Sequence, residues 1–76
     1  MIGADLSSAD IRGASLRATD LSNANLSSSD LRETEIIEST FIGAILTNAD
    51  LRGTYIRSAD MTRAKLDGVK SDKELK

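Results

Sequence analysis

The groups in this chain that could do chemistry are carboxylates, guanidinium groups and hydroxyls. Asp10 with Arg12, Asp30 with Arg32 and Asp50 with Arg52 repeat one local spacing every twenty residues, and Glu33, Glu35 and Glu38 form an acidic cluster. Paired carboxylates act as acid and base when unlike surroundings push their pKa values apart inside a concave site. A Ser or Thr hydroxyl attacks only when a base stands beside it. The sequence has no His and no Cys. The usual base is therefore missing, as are imidazole and thiolate metal ligands and disulfides. The glycines fall singly and form no phosphate-binding loop. The reading is of a chain with no catalytic residue, no metal site and no cofactor, and not of an enzyme.

The elements that carry these groups must fit into 76 residues, which is one domain. A chain of this size buries about 60% of its unfolded surface, so its core is marginal. Only Phe41 and Tyr55 are aromatic, and Pro and Trp are absent; the core has to be aliphatic and assembled from small pieces. Ten basic residues against twelve acidic ones, net −2, give no basic footprint for nucleic acid. Met1-Ile2-Gly3-Ala4-Asp5 has neither the basic start nor the apolar run of a secretory signal. No apolar stretch reaches the ~20 residues of a membrane-spanning helix. A cytoplasmic protein with no nucleic-acid and no membrane partner is expected.

Large apolar residues stand at Leu6, Ile11, Leu16, Leu21, Leu26, Leu31, Ile36, Phe41, Leu46, Leu51, Ile56, Met61 and Leu66, always five apart, and Met1 extends the series backwards. A small residue precedes each by two places, as in Ala4, Ala9, Ala14, Thr19, Ala24, Ser29 and Thr34. Between the two lies a mostly polar residue, often Asp or Asn. Two places after the large residue, Gly or Asn recurs, as at Gly13, Asn23, Gly43, Asn48, Gly53 and Gly68. In an α-helix a step of five rotates the side chain by about 140° net and scatters the large residues around the axis. In one long strand an odd step sends every second one to water. The pattern needs a chain that turns a corner every five residues: in, out, in, then two corner residues, with Gly and Asn tolerating left-handed backbone there.

Runs such as Ala4-Asp5-Leu6-Ser7, Ala9-Asp10-Ile11-Arg12-Gly13, Ala24-Asn25-Leu26-Ser27 and Ala49-Asp50-Leu51-Arg52-Gly53 resemble the pentapeptide repeat family, from Met1 to about Gly68. The resemblance implies an all-β fold, a right-handed quadrilateral β-helix (a β-solenoid) with four units per coil and about three coils. The expected organisation is a solenoid over residues 1–68 and a tail over 69–76, either a short cap, with Ser71 and Glu74 as a capping box and Leu75 folded over the last coil, or disordered. Matches forty residues apart, such as Ile2-Gly3-Ala4 with Ile42-Gly43-Ala44 and Ala9-Asp10 with Ala49-Asp50, agree with a coil of twenty. At the strand spacing of ~4.8 Å such a stack is roughly 15–20 Å long.

Stacked coils would set Asp10, Arg12, Asp30, Arg32, Asp50 and Arg52 into a charged ladder. Ile37, Ile42, Ile45 and Tyr55 take outward positions, for which a core has no use, and are candidates for a contact patch. Ile37 and Tyr55 are expected on one side, one coil apart. The function expected is a non-enzymatic protein-interaction or structural module with an unknown protein partner, or a homodimer or end-to-end stack. The resemblance also implies an alternative: some quinolone-resistance members mimic DNA, and this chain would then inhibit or protect DNA gyrase. Three coils span less than the ~34 Å helical repeat of DNA, and Arg beside each Asp breaks the field of a phosphate backbone, so the interaction module leads.

Overall fold

The structure, a computed structural model, describes residues 2–72. Met1, Glu74 and Leu75, and with the last two the expected capping box and its lid, lie outside the described residues.

The five-residue step becomes a coil of twenty. Asp5 pairs in parallel with Asn25, Asn25 with Ile45 and Ile45 with Lys65. Asp10, Asp30, Asp50 and Lys70 form a second column, Ser15 and Glu35 belong to a third, and Asp20, Thr40 and Asp60 to a fourth. Each column is stitched by alternating backbone bonds. The Leu6 N–H donates to the Asn25 carbonyl at 2.7 Å, and the Asn25 N–H donates back to the Ala4 carbonyl at 2.9 Å. The outward residue of each unit is thus held between neighbouring coils, and the flat stretch is so short that most coils pair through one residue per unit. Two stretches lengthen into strands, β1 (Glu35–Ile37) and β2 (Tyr55–Arg57), paired in parallel with Glu35 opposite Tyr55, Ile36 opposite Ile56 and Ile37 opposite Arg57.

The corners explain the Gly and Asn periodicity. Every fifth residue from Gly3 to Gly68 has positive φ, between 52° at Ala18 and 72° at Gly53. Most corners are closed by a bond from the N–H of the next small residue to the carbonyl of the large one, as from Ala9 to Leu6 (3.1 Å) and Ala24 to Leu21 (3.0 Å). Positive φ at the third residue of such a turn is the type II geometry. Among the described residues this bond is missing only at the corners after Leu16, Ile36 and Ile56, the column that carries β1 and β2. There the buried Ser39 hydroxyl donates to the Leu16 carbonyl of the preceding coil, and the strand pairing runs on past the place where the other corners close.

The large residues fill the axis. Leu21, Leu26, Leu31, Ile36 and Phe41 are fully buried, with Leu46 and Leu51 nearly so; Ala24, Ala44 and Ala49 pack between them. At Ser29, Thr34 and Thr54 the inward hydroxyl is satisfied by the turn carbonyl three residues back, on Leu26 at 2.6 Å, Leu31 at 2.9 Å and Leu51 at 2.8 Å, whereas Thr19, in the exceptional column, donates to the Arg17 carbonyl at 3.2 Å. Leu6, Ile11, Met61 and Leu66, towards the two ends, are half-buried against the same core. The pairing passes the boundary read at Gly68: Val69 packs on the core, and Lys70 bridges Asp50. At residue 72 the chain leaves register, and the Asp72 carboxylate takes the Gly53 N–H at 2.7 Å in place of a backbone carbonyl.

Candidate interaction surface

Outward Asp and Asn side chains have a local job before any other. Each lies two residues ahead of a corner N–H that no turn bond uses, and an Asx side chain reaches it. Asp5 Oδ1 accepts from the Ser7 N–H at 3.1 Å and the Ser7 hydroxyl at 2.8 Å; Asp20 does so with Ser22, Asn25 with Ser27 and Asp60 with Thr62. These hydrogen bonds hold the Asp5, Asp20 and Asp60 carboxyls below the ordinary Asp value.

In the second column Arg replaces Ser, and the cap becomes a charged fork. Arg12 Nε and Nη2 both bond Asp10 at 2.9 Å; Arg32 grips Asp30 at 2.9 and 2.8 Å, and Arg52 grips Asp50 at 2.9 and 2.6 Å. The coils are also cross-linked, with Arg12 Nε 3.7 Å from Asp30 and Arg32 Nε 3.8 Å from Asp50. The hydrogen bonds from the Arg12 and Arg52 guanidinium groups pull Asp10 and Asp50 down to about 2, and Asp30 is lowered by Arg32 in the same way. All six ladder residues read from the sequence therefore meet in one strip. Each charge is met within it, and the shallow open depression alongside, lined by Arg12, Arg32, Glu33, Arg52 and Gly53, is walled by guanidinium groups already engaged.

The four apolar candidates do not converge. Ile37 and Tyr55 stand on adjacent coils at the β1–β2 pairing, Tyr55 49% exposed and Ile37 half-buried. Ile42, 36% exposed, occupies the next corner along the chain, and half-buried Ile45 belongs to the column of Asn25 and Lys65. Between the two groups runs the column of Asp20, Thr40 and Asp60. Two further residues belong with Ile37 and Tyr55. Arg57 is the cross-strand partner of Ile37, and Arg17 lies one coil before it, where the Ala18 N–H donates to the Ile37 carbonyl at 2.9 Å. The spacing of 17, 37 and 57 was the available signal for them.

Comparison with known proteins gives the same architecture. Residues 1–35 and 34–70 match the profile of the family described as pentapeptide repeats (8 copies). The chain resembles a pentapeptide repeat protein of the Arabidopsis thaliana thylakoid lumen, with a TM-score of 0.86 and 31% identity over 90% of this chain and 47% of that one. A pentapeptide repeat protein of Nostoc superposes with a TM-score of 0.61 at 33% identity, over 95% of this chain and 64% of the other. HetL of Nostoc, a pentapeptide repeat protein involved in regulating heterocyst differentiation, gives 0.59 and 30%, over 91% of this chain and 37% of its own. No curated protein sequence matches. The chain spans between about a third and two thirds of the length of these three structures. The fold they share is a right-handed β-helix. The chain belongs to the pentapeptide repeat family, whose members are in general non-enzymatic structural or interaction modules.

Proposed function

We propose that this chain is a protein-interaction module: a four-sided prism of about three coils that presents its outward residues to a protein partner. The observation that carries the reading is the spending of large apolar side chains on outward positions. Tyr55 and Ile42 stand well exposed, with Ile37 and Ile45 half-exposed beside corners where Ser, Asn or Asp would serve the fold better. Exposed aromatic and aliphatic residues of this kind anchor interfaces. The ladder of Asp10, Arg12, Asp30, Arg32, Asp50 and Arg52 supports the coil stack rather than a ligand, because its charges are consumed internally. That same neutralisation weighs against mimicry of DNA and binding to gyrase.

Cross-linking in the cells that express the protein tests the reading. A variant with Ile37, Ile42, Ile45 and Tyr55 all changed to Ser should keep the β-helix spectrum and lose the cross-linked species that the unmodified chain forms. Species that survive all four substitutions would overturn the assignment to these residues.

A further inference from the structure

The ladder satisfies its charges internally, and charges elsewhere, such as Glu33, Arg63 and Lys65, form no ion pair with any described residue. Among the described residues every salt bridge lies in the Asp–Arg ladder, and Asp5, Asp20 and Asp60 are capped by hydroxyls and corner amides. What sets the region of β1 and β2 apart is that charges without an ion pair, of both signs, stand beside outward apolar side chains. Arg17, Glu35, Glu38 and Arg57 form no ion pair with any described residue. They surround Ile37 and Tyr55. Arg17 and Arg57 lie one coil to either side of Ile37, Glu35 is the cross-strand partner of Tyr55, and the Glu38 N–H donates to the Arg57 carbonyl at 2.9 Å. This is also the column whose corners lack the closing turn bond and whose pairing lengthens into strand.

From this juxtaposition we infer that the Ile37–Tyr55 surface is a dimer interface whose occupant is a second copy of this chain. The inference rests on the interaction-module reading and names its partner. An interface between identical copies about a two-fold axis must be complementary to itself. A patch with an apolar centre and two charges of each sign meets that condition, since each Arg finds a Glu on the other copy and neither sign is left over. A strongly acidic or strongly basic partner would match only half of it and would bury the other half against like charge. Tyr and Arg at the centre and rim are also the residue types that dominate interface energetics.

Light scattering behind size-exclusion chromatography, from micromolar to near-millimolar protein, should show a dimer in concentration-dependent exchange with monomer. Two reversal variants then test the surface, one with Arg17→Glu and Arg57→Glu, the other with Glu35→Arg and Glu38→Arg. Each alone should weaken dimerisation by about ten-fold or more, and an equimolar mixture of the two should dimerise again. If a reversal variant loses the β-helix spectrum, Arg17→Gln with Arg57→Gln gives the milder test and should weaken the dimer in the same direction. A monomer throughout the concentration range, a dimer indifferent to both reversals, or a mixture that stays monomeric overturns the inference. A monomeric chain whose cross-links to other proteins still vanish with the four Ser substitutions would sink this inference alone and leave the interaction-module reading standing.

Discussion

At the scale of single residues, the protein is governed by what each corner demands. Left-handed backbone costs an L-residue roughly 1–2 kcal/mol, and Ala18 at φ 52° carries that cost openly, whereas Gly43 and Gly13 do not. The two glycines differ in surroundings. A Cβ at Gly43 would lie 2.5 Å from Asn23 Oδ1 in the coil before, while one at Gly13 would meet nothing within 4 Å. Gly13→Ala should cost only the backbone penalty of about 1–2 kcal/mol, and Gly43→Ala should cost more. Adding Asn23→Gly should bring Gly43→Ala back towards the Gly13→Ala value; urea denaturation of these three variants beside the unmodified chain reads this directly, and equal losses at both glycines would refute it. Acid acts on the same corners. Asp10 and Asp50, held at about 2 against an unfolded value near 3.9, stabilise the fold fully above pH ~4, and that contribution disappears as pH falls through about 2. The thermal midpoint followed by circular dichroism should be flat from neutrality to about pH 4 and fall steeply below it. Asp10→Asn with Asp50→Asn should make the fall shallower, and an unchanged slope would remove the ladder from the explanation.

Elements here are pairs of short flat stretches joined by corners, and one column of them is built differently. In that column Ser39 performs with a hydroxyl what a turn amide does elsewhere, by donating to the Leu16 carbonyl. Ser39→Ala leaves that carbonyl without the bond and should cost about 1–3 kcal/mol, more than Ser29→Ala, whose hydroxyl meets a carbonyl that the Ser29 amide already serves at 3.1 Å. Equal costs would mean that the corner needs no hydroxyl. How far each feature could be read in advance follows from the physics involved. The step of five and the in–out–in unit were legible because burial permits large residues only at inward positions. The twenty-residue coil came from the family resemblance, and the matches forty residues apart agreed with it. The exceptional corner was not legible, because Leu16, Ile36 and Ile56 look like every other large residue, and the difference lies in how a carbonyl is satisfied. The Asx caps were hidden too, since the sequence marked the outward Asp and Asn only as polar, and their bonds to the corner two residues on, as between Asp5 and Ser7, depend on the turn geometry. The period of five also separated the outward apolar residues, setting Ile37 and Tyr55 on one side one coil apart, and β1 and β2 bring them there; the charged neighbours Arg17 and Arg57 drew no notice because the pattern treats every corner residue alike.

For the whole molecule, stability depends on having neighbours on both sides. The side chains buried most completely run from Leu21 to Leu51, and those towards the ends are half-buried, so burial grades from the middle outwards. Coil stacks behave as nearly one-dimensional arrays in which each unit is held by the next, and local opening begins where contacts are fewest. Amides of Leu26, Leu31 and Ile45 should therefore exchange with solvent more slowly than that of Leu6, although all four donate to a neighbouring coil. Uniform protection would point to a single all-or-none unit. Phe41 sits fully buried in the middle of the stack, and Phe41→Ala should remove about 3–5 kcal/mol, measured as a shift of the urea midpoint.

Because a corner follows every five residues and a column repeats every twenty, the fold counts length in two nested units, with consequences for the insertions and deletions a gene can accept. Losing or gaining one residue puts leucines on the surface and aspartates in the core from that point to the end, and the stack is lost. A change of five keeps every leucine inside and each arginine on its own aspartate but turns the remainder of the molecule by a quarter, so that cross-coil contacts such as Arg12 with Asp30 are broken and Tyr55 moves away from Ile37. A change of twenty leaves every column aligned, and the lineage of such a chain can lengthen or shorten by whole coils while its surfaces keep their faces.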